Sequence, residues 1–150
     1  MGGIEYKFRE QTPMQNYFSM SLVISSVTTP PESISERVGL APTSTRLRGT
    51  PIKTGVFRRP EFDVHEYWIR AELELAPSDV IEDLQPSFIT EFLNKISVAC
   101  HQIRELADSD DVKIIFVYHM DRMPYVGLSS SQVEMIAALG ASIDFDMMIG

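Results

Sequence analysis

From Asn16 onward the chain alternates. Phe18, Met20, Leu22 and Ile24 are interleaved with Ser19, Ser21, Val23 and Ser25, the period-two pattern of a half-buried strand. Thr28-Thr29-Pro30-Pro31-Glu32 follows and reads as a helix start, with Thr as the cap and proline in the first turn. Ile34 and Val38 are the apolar i, i+4 pair of this short helix, and Gly39 supplies its left-handed stop. Residues 40–63 carry Pro42, Gly49, Pro51, Gly55 and Pro60, and predict a loop with a short strand near Ile52–Phe57. Between 64 and 75 the alternation returns. Tyr67, Ile69, Ala71, Leu73 and Leu75 share one face, and Glu66, Trp68, Arg70, Glu72 and Glu74 share the other. This strand shows its polar face to water, with Trp68 as the residue out of place there.

The period then changes. After an acidic connector over 77–85, Phe88, Phe92, Ile96, Ala99, Ile103 and Leu106 step by threes and fours, with Ile89, Leu93 and Cys100 widening the stripe. That predicts one amphipathic helix of about 20 residues starting at Pro86. Val112–Met120 contains the unbroken run Ile114-Ile115-Phe116-Val117-Tyr118, which predicts a central strand covered on both faces. Ser131 with Glu134 reads as a capping box opening a last helix through Val133, Ile136, Ala137 and Leu139 to Gly140. A closing strand sets Ile143, Phe145, Met147 and Ile149 against Asp144, Asp146 and Met148. The order predicts an α+β fold: a ferredoxin-like β-α-β-β-α-β sheet with helices on one face, plus a C-terminal helix–strand addition. Residues 1–15 are expected to be a flexible N-terminal arm, and residues 16–150 a single domain.

Composition narrows the class. In 150 residues the hydrophobic fraction is 44% and the charged fraction 23%, which is the make-up of a globular chain rather than a disordered one. One cysteine, Cys100, excludes a disulfide scaffold and fits a reducing cytoplasm. No apolar run approaches the roughly 18–20 residues that cross a bilayer, and no signal peptide is expected. The net charge of −8 disfavours a general nucleic-acid binder.

That charge is unevenly spread. Arg46, Arg48, Lys53, Arg58 and Arg59 fall within 14 residues that contain no acid. Setting those five of the 13 basic residues aside leaves 8 against 21 acidic ones, a balance of −13. One basic segment therefore sits on an acidic body. The segment has the chemistry of a phosphate or small-anion site, and the body that of a surface for an oppositely charged protein.

Motifs for catalysis are scarce. His65, His101 and His119 lack metal-ligand spacing. There is no G-x-S-x-G elbow, no phosphate-binding loop and no G-x-G-x-x-G. Asp144 and Asp146 lie two apart on one strand face, a carboxylate pair that would need further ligands to hold a cation.

Val38-Gly39-Leu40-Ala41-Pro42-Thr43 with Gly49, Trp68 in the following strand, Gly127-Leu128-Ser129-Ser130, and Leu139-Gly140-Ala141-Ser142-Ile143-Asp144-Phe145-Asp146 together resemble the pattern of a family, the domain of unknown function 4279. The likeness runs over residues 16–148. Met148 stands where that family tends to carry a tyrosine. The resemblance implies a small bacterial α+β domain and carries over no catalytic residues. By analogy, small acidic domains of this kind serve as immunity partners of toxins or as accessory binding modules.

The leading expectation is a non-catalytic, cytoplasmic protein-binding domain, of the kind that neutralises a bacterial toxin as its immunity protein. Its partner is another protein, not nucleic acid or membrane, and it needs no cofactor. Trp68 would be the anchor, since Trp and Arg dominate interface energetics. The alternative is a small-ligand or phosphate module built on Arg46, Arg48, Arg58 and Arg59. A third reading is a metal-dependent enzyme using Asp144 and Asp146. Pairing of a bare edge strand with its own copy would give a homodimer.

Overall fold

The structure, a computed structural model, describes residues 16–50 and 63–150. The N-terminal arm, the strand expected near Ile52–Phe57, and Lys53, Arg58 and Arg59 lie outside the described residues. Five strands and four helices occur among those described: β1 (Tyr17–Ser26), α1 (Pro31–Val38), β2 (Ser44–Arg46), β3 (His65–Glu74), α2 (Ile81–Ser97), α3 (Cys100–Leu106), β4 (Asp111–Met120), α4 (Ser130–Ala138) and β5 (Ser142–Ile149). The fold is α+β.

The strands form one sheet in the order β2-β3-β1-β4-β5. β1 is antiparallel to β3 and β4, and β2 to β3, while β5 runs parallel to β4. The sheet is thus mixed, and its order as a whole differs from that of a four-stranded ferredoxin-like unit. The physical reason is α4. It carries the chain back across the sheet, so that β5 enters beside β4 in the same direction.

Register decides which side chains share a face. Met20 lies opposite Ala71 on β3 and Phe116 on β4, and Phe116 opposite Phe145 on β5. This row and its neighbours two residues away form the covered face. There Phe18, Met20, Leu22, Ile24, Tyr67, Ile69, Ile114, Phe116 and Tyr118 join Ile34, Ile89, Leu93, Ile96, Ile103, Ile136 and Leu139 of the helices in one apolar core. Val23 lies opposite Trp68 and Lys113 on the other face, and no described helix covers it. β4 therefore alternates buried and half-buried positions rather than being closed on both sides. Its unbroken apolar run arises because Ile115 and Val117 look out on the bare face.

Several boundaries differ from the sequence expectation. β2 falls inside the stretch expected to be loop; it is three residues long, too short to show a period, and exists because β3 offers it a ladder. The long helix begins earlier, at Ile81, because Ile81, Gln85 and Ile89 already bury the i, i+4 face. It also breaks after Ser97, where Ala99 leaves helical geometry at φ −108° and Val98 stands exposed. α2 contains Pro86, whose carbonyl accepts from Gln132 Nε2 of α4 at 3.1 Å.

The caps moved as well. The residue preceding α1 is Pro30, without a side-chain cap. α4 is closed by Ser129 and Gln132, each side chain bonding the other's backbone N–H, instead of Ser131 and Glu134. Gly39 stops α1 at φ 77°, as the sequence indicated. Gly140 stops α4 at φ 72°, where a Cβ would also meet the Arg104 side chain.

One polar network crosses the core. The Tyr118 hydroxyl donates to Gln85 Oε1, and Gln85 Nε2 donates to the Tyr125 carbonyl at 3.3 Å. Every fully buried side-chain N and O among the described residues has a partner.

Candidate functional site

At the β2–β3 edge of the bare face, Thr43, Ser44, Thr45, Arg46, Glu66, Trp68 and Arg70 line an open hollow of about 420 Å³. Alternation along β3 sends Glu66, Trp68 and Arg70 to the same side, and the register sets Arg46 opposite Glu66 and Ser44 opposite Trp68. Glu66 is the hub. Its Oε1 accepts from Arg46 Nε at 3.2 Å and from the Trp68 indole N–H at 3.1 Å. The Arg46 and Glu66 side chains are each only 17% exposed, so this pair is partly withdrawn from water and holds the indole edge in one direction.

Arg70 closes the other side. Its guanidinium lies 5.6 Å from the Trp68 ring centroid, within cation–π range. Its Nε donates to Ser21 Oγ at 3.4 Å, and Nη1 stands 4.0 Å from Glu72. Thr43 fixes the backbone: its N–H donates to the Trp68 carbonyl at 2.7 Å, and its Oγ1 accepts from the Arg70 N–H at 2.9 Å. The result is a half-buried tryptophan between two arginines, with orientation set by one carboxylate.

The structure brings Trp68 and Arg46 together, but not Arg48. The Arg48 backbone N–H donates to His65 Nδ1 at 3.0 Å, and its Nη1 donates to the Val27 carbonyl at 3.2 Å. Arg48 thus braces the loop after β1. Arg58 and Arg59 are outside the described residues. Glu66 and Arg70 were not singled out from the sequence. Their signal was present, since they flank Trp68 on its own face, but the link to Arg46 depends on a cross-strand register that no local pattern encodes.

Asp144 and Asp146 lie on the bare face at the opposite edge, on β5. Asp144 stands 3.6 Å from Lys113 Nζ, which also reaches Asp111 at 3.5 Å. Among the described residues no group of three or more His, Cys, Asp or Glu is placed to hold a metal ion. His101 lies 3.7 Å from Glu105 on the exposed side of α3, and the His119 ring lies against Tyr17, centroids 5.0 Å apart and tilted by 47°. Cys100 is half-buried, with Sγ 3.5 Å from the Ala138 carbonyl.

Two groups have shifted titration, and both are structural. Burial pushes the Tyr67 phenol up to about 12, and its hydroxyl donates to the Leu40 carbonyl at 2.6 Å. Burial also raises the Tyr118 phenol, more strongly. Both stay neutral donors inside the core.

The fold and this edge define a small α+β domain with one helix-covered and one bare sheet face. The family model for Domain of unknown function (DUF4279) matches residues 15–150, and the chain belongs to that family. No curated protein and no solved structure matches the chain. Among the described residues no helix is long and apolar enough to cross a membrane.

Proposed function

We propose that this chain is a non-catalytic protein-binding domain whose docking surface is the bare sheet face around Trp68. The observation that carries the reading is the Glu66–Trp68–Arg70 arrangement: an indole held in orientation by a carboxylate and covered by a guanidinium. Aromatic and arginine side chains fixed before binding lose little conformational freedom on docking, which is how interface anchors gain their energy. The acidic body favours a basic partner. A bacterial toxin neutralised by this domain as its immunity protein is the partner class we favour, and the cytoplasm the compartment.

The fold reading underneath is that β2, β3, β1 and β4 form a ferredoxin-like unit to which α4 and β5 are appended. The antiparallel pairing of those four strands supports it. A small-anion module on the basic segment has less support, since Arg46 is engaged by Glu66 and Arg48 by the Val27 carbonyl.

Trp68 is the single tryptophan of the chain, so its fluorescence reports on this surface alone. The experiment is a pull-down from the native host with the unmodified chain and with Trp68→Ala, followed by titration of the captured protein against Trp68 emission. A stoichiometric partner that shifts the emission and is lost by Trp68→Ala is the expected result, and mixing should silence that partner's toxicity. Capture that is indifferent to Trp68→Ala, or no stoichiometric partner in mild salt, would overturn the reading.

A further inference from the structure

The opposite edge of the sheet is built differently. Among the described residues β5 has one neighbour, β4, and eight residues of its outer side are open. Phe145, Met148 and Ile149 are 48%, 45% and 46% exposed. An edge of this length carries unpaired backbone groups and normally bears a device that blocks pairing, such as proline, a bulge or inward-facing lysine. β5 has no proline, bulge or lysine; its charges are Asp144 and Asp146, both on the bare face, and they restrict the register of pairing rather than cover the edge.

Its backbone phase can be read. The Gly150 N–H donates to the Met120 carbonyl at 3.1 Å. Along a parallel pair, alternate residues turn both N–H and C=O to the same neighbour. Asp144, Asp146 and Met148 therefore bond to β4, while Phe145, Met147 and Ile149 turn both groups outward. The residues free to exchange backbone bonds are thus those whose side chains lie on the covered, apolar face.

We propose that β5 is a self-pairing edge, joining β5 of a second copy in antiparallel fashion about a two-fold axis at Met147. The charge pattern selects this register. An axis at Phe145 sets Asp144 opposite Asp146 of the second copy, and an axis at Asp144 or Asp146 sets an aspartate opposite its own copy. Like charges directly opposed destabilise a strand pair. An axis at Ile143 drives the incoming strand onto the turn at Gly140, where α4 ends. With the axis at Met147, Met147 meets Met147, Phe145 meets Ile149, and Asp146 meets Met148. No charge is opposed, the exposed Phe145 and Ile149 side chains are brought together on the covered face, and the outward N–H and C=O groups face one another. The interface is isologous, so it closes at two copies, and the five-stranded sheets become one continuous sheet.

The test uses the full chain in a Cys100→Ala background. In the proposed register, Met147→Cys sets two thiols on an opposed pair with Cα atoms about 5.5 Å apart, inside disulfide range. Phe145→Cys alone places its thiols about 13 Å from each other, as does Ile149→Cys alone. The expected result is a cross-linked dimer for Met147→Cys under mild oxidation, none for either of the other single variants, and a cross-link when those two are mixed. Sedimentation of the unmodified chain should give a dimer, and unchanged Trp68 emission in each variant would show that the fold is kept. A monomer throughout the micromolar range, or stronger cross-linking by Phe145→Cys alone than by Met147→Cys, would overturn the proposal. Neither outcome bears on the Trp68 surface, which lies at the other edge.

Discussion

The two faces of the sheet are made by the same strands, and neighbouring residues on one strand report both. On β4, Ile114 points into the helix side and is fully buried, whereas Ile115 points to the bare face and is half-buried. On β1, Met20 and Leu22 are buried against the helices, while Ser19, Ser21 and Val23 on the other face are equally inaccessible. Burial alone therefore does not tell the faces apart. What differs is depth: among the described residues, helices form a second layer above one face and none lies above the other.

That difference makes the largest prediction. Ile114→Ala removes apolar volume from a close-packed site and should cost about 2–5 kcal/mol. Ile115→Ala, the same change one residue on, should cost about 1 kcal/mol, since much of the side chain already meets water. Denaturant unfolding of both variants checks it. Equal losses would mean that something covers the bare face in solution, and the contrast between the faces would disappear.

The next effect lies where the covered face is polar. Tyr118→Phe leaves Gln85 Oε1 without its donor in a buried site, and should cost about 1–3 kcal/mol. The tyrosines also set an alkaline limit. A phenol raised from 10.0 to about 12, as at Tyr67, is protonated in both folded and unfolded chains below pH 10 and gives no pH dependence there. Between about 10 and about 12 the unfolded chain ionises first, so stability falls with rising pH and this contribution is lost through the folded value. Phenolate absorbance should show Tyr67 and Tyr118 ionising late, as the chain unfolds. Early ionisation of all five tyrosines would mean that the covered face admits water.

The covered face was also the more legible one. The alternation of β1 and β3 and the stripe along α2 and α3 identified its core side chains, because burial against a second layer demands a regular apolar period. Legibility failed where the pattern was short or the cause was remote. β2 has three residues and borrows its conformation from β3. The break at Val98–Ala99 leaves the apolar stripe in phase, so periodicity passes over it. The shift of the α4 cap from Ser131 to Ser129 came from choosing among neighbouring serines, with Gln132 able to replace glutamate. At the candidate site, Trp68 was marked by being apolar on a polar face. Its setting was not, because Arg46 reaches Glu66 across 20 positions of sequence, and pairing between strands is written in no local spacing.

The smallest expected effect is on the bare face, and it separates an anchor from a structural brace. Arg70→Ala removes the guanidinium over Trp68 and the bond to Ser21. At an exposed site a cation–π contact contributes about 0.5–1 kcal/mol, and a neighbouring ion pair at 4.0 Å adds little. Unfolding stability should drop by less than about 1 kcal/mol. Trp68 emission should nonetheless change, because the ring loses the guanidinium over its face while Glu66 still holds the indole N–H. A small stability loss with a clear spectral change fits side chains arranged for an outside contact. A loss comparable to that of Ile114→Ala would instead make Arg70 a brace of the fold, and the bare face a second core whose outer layer lies beyond the described residues.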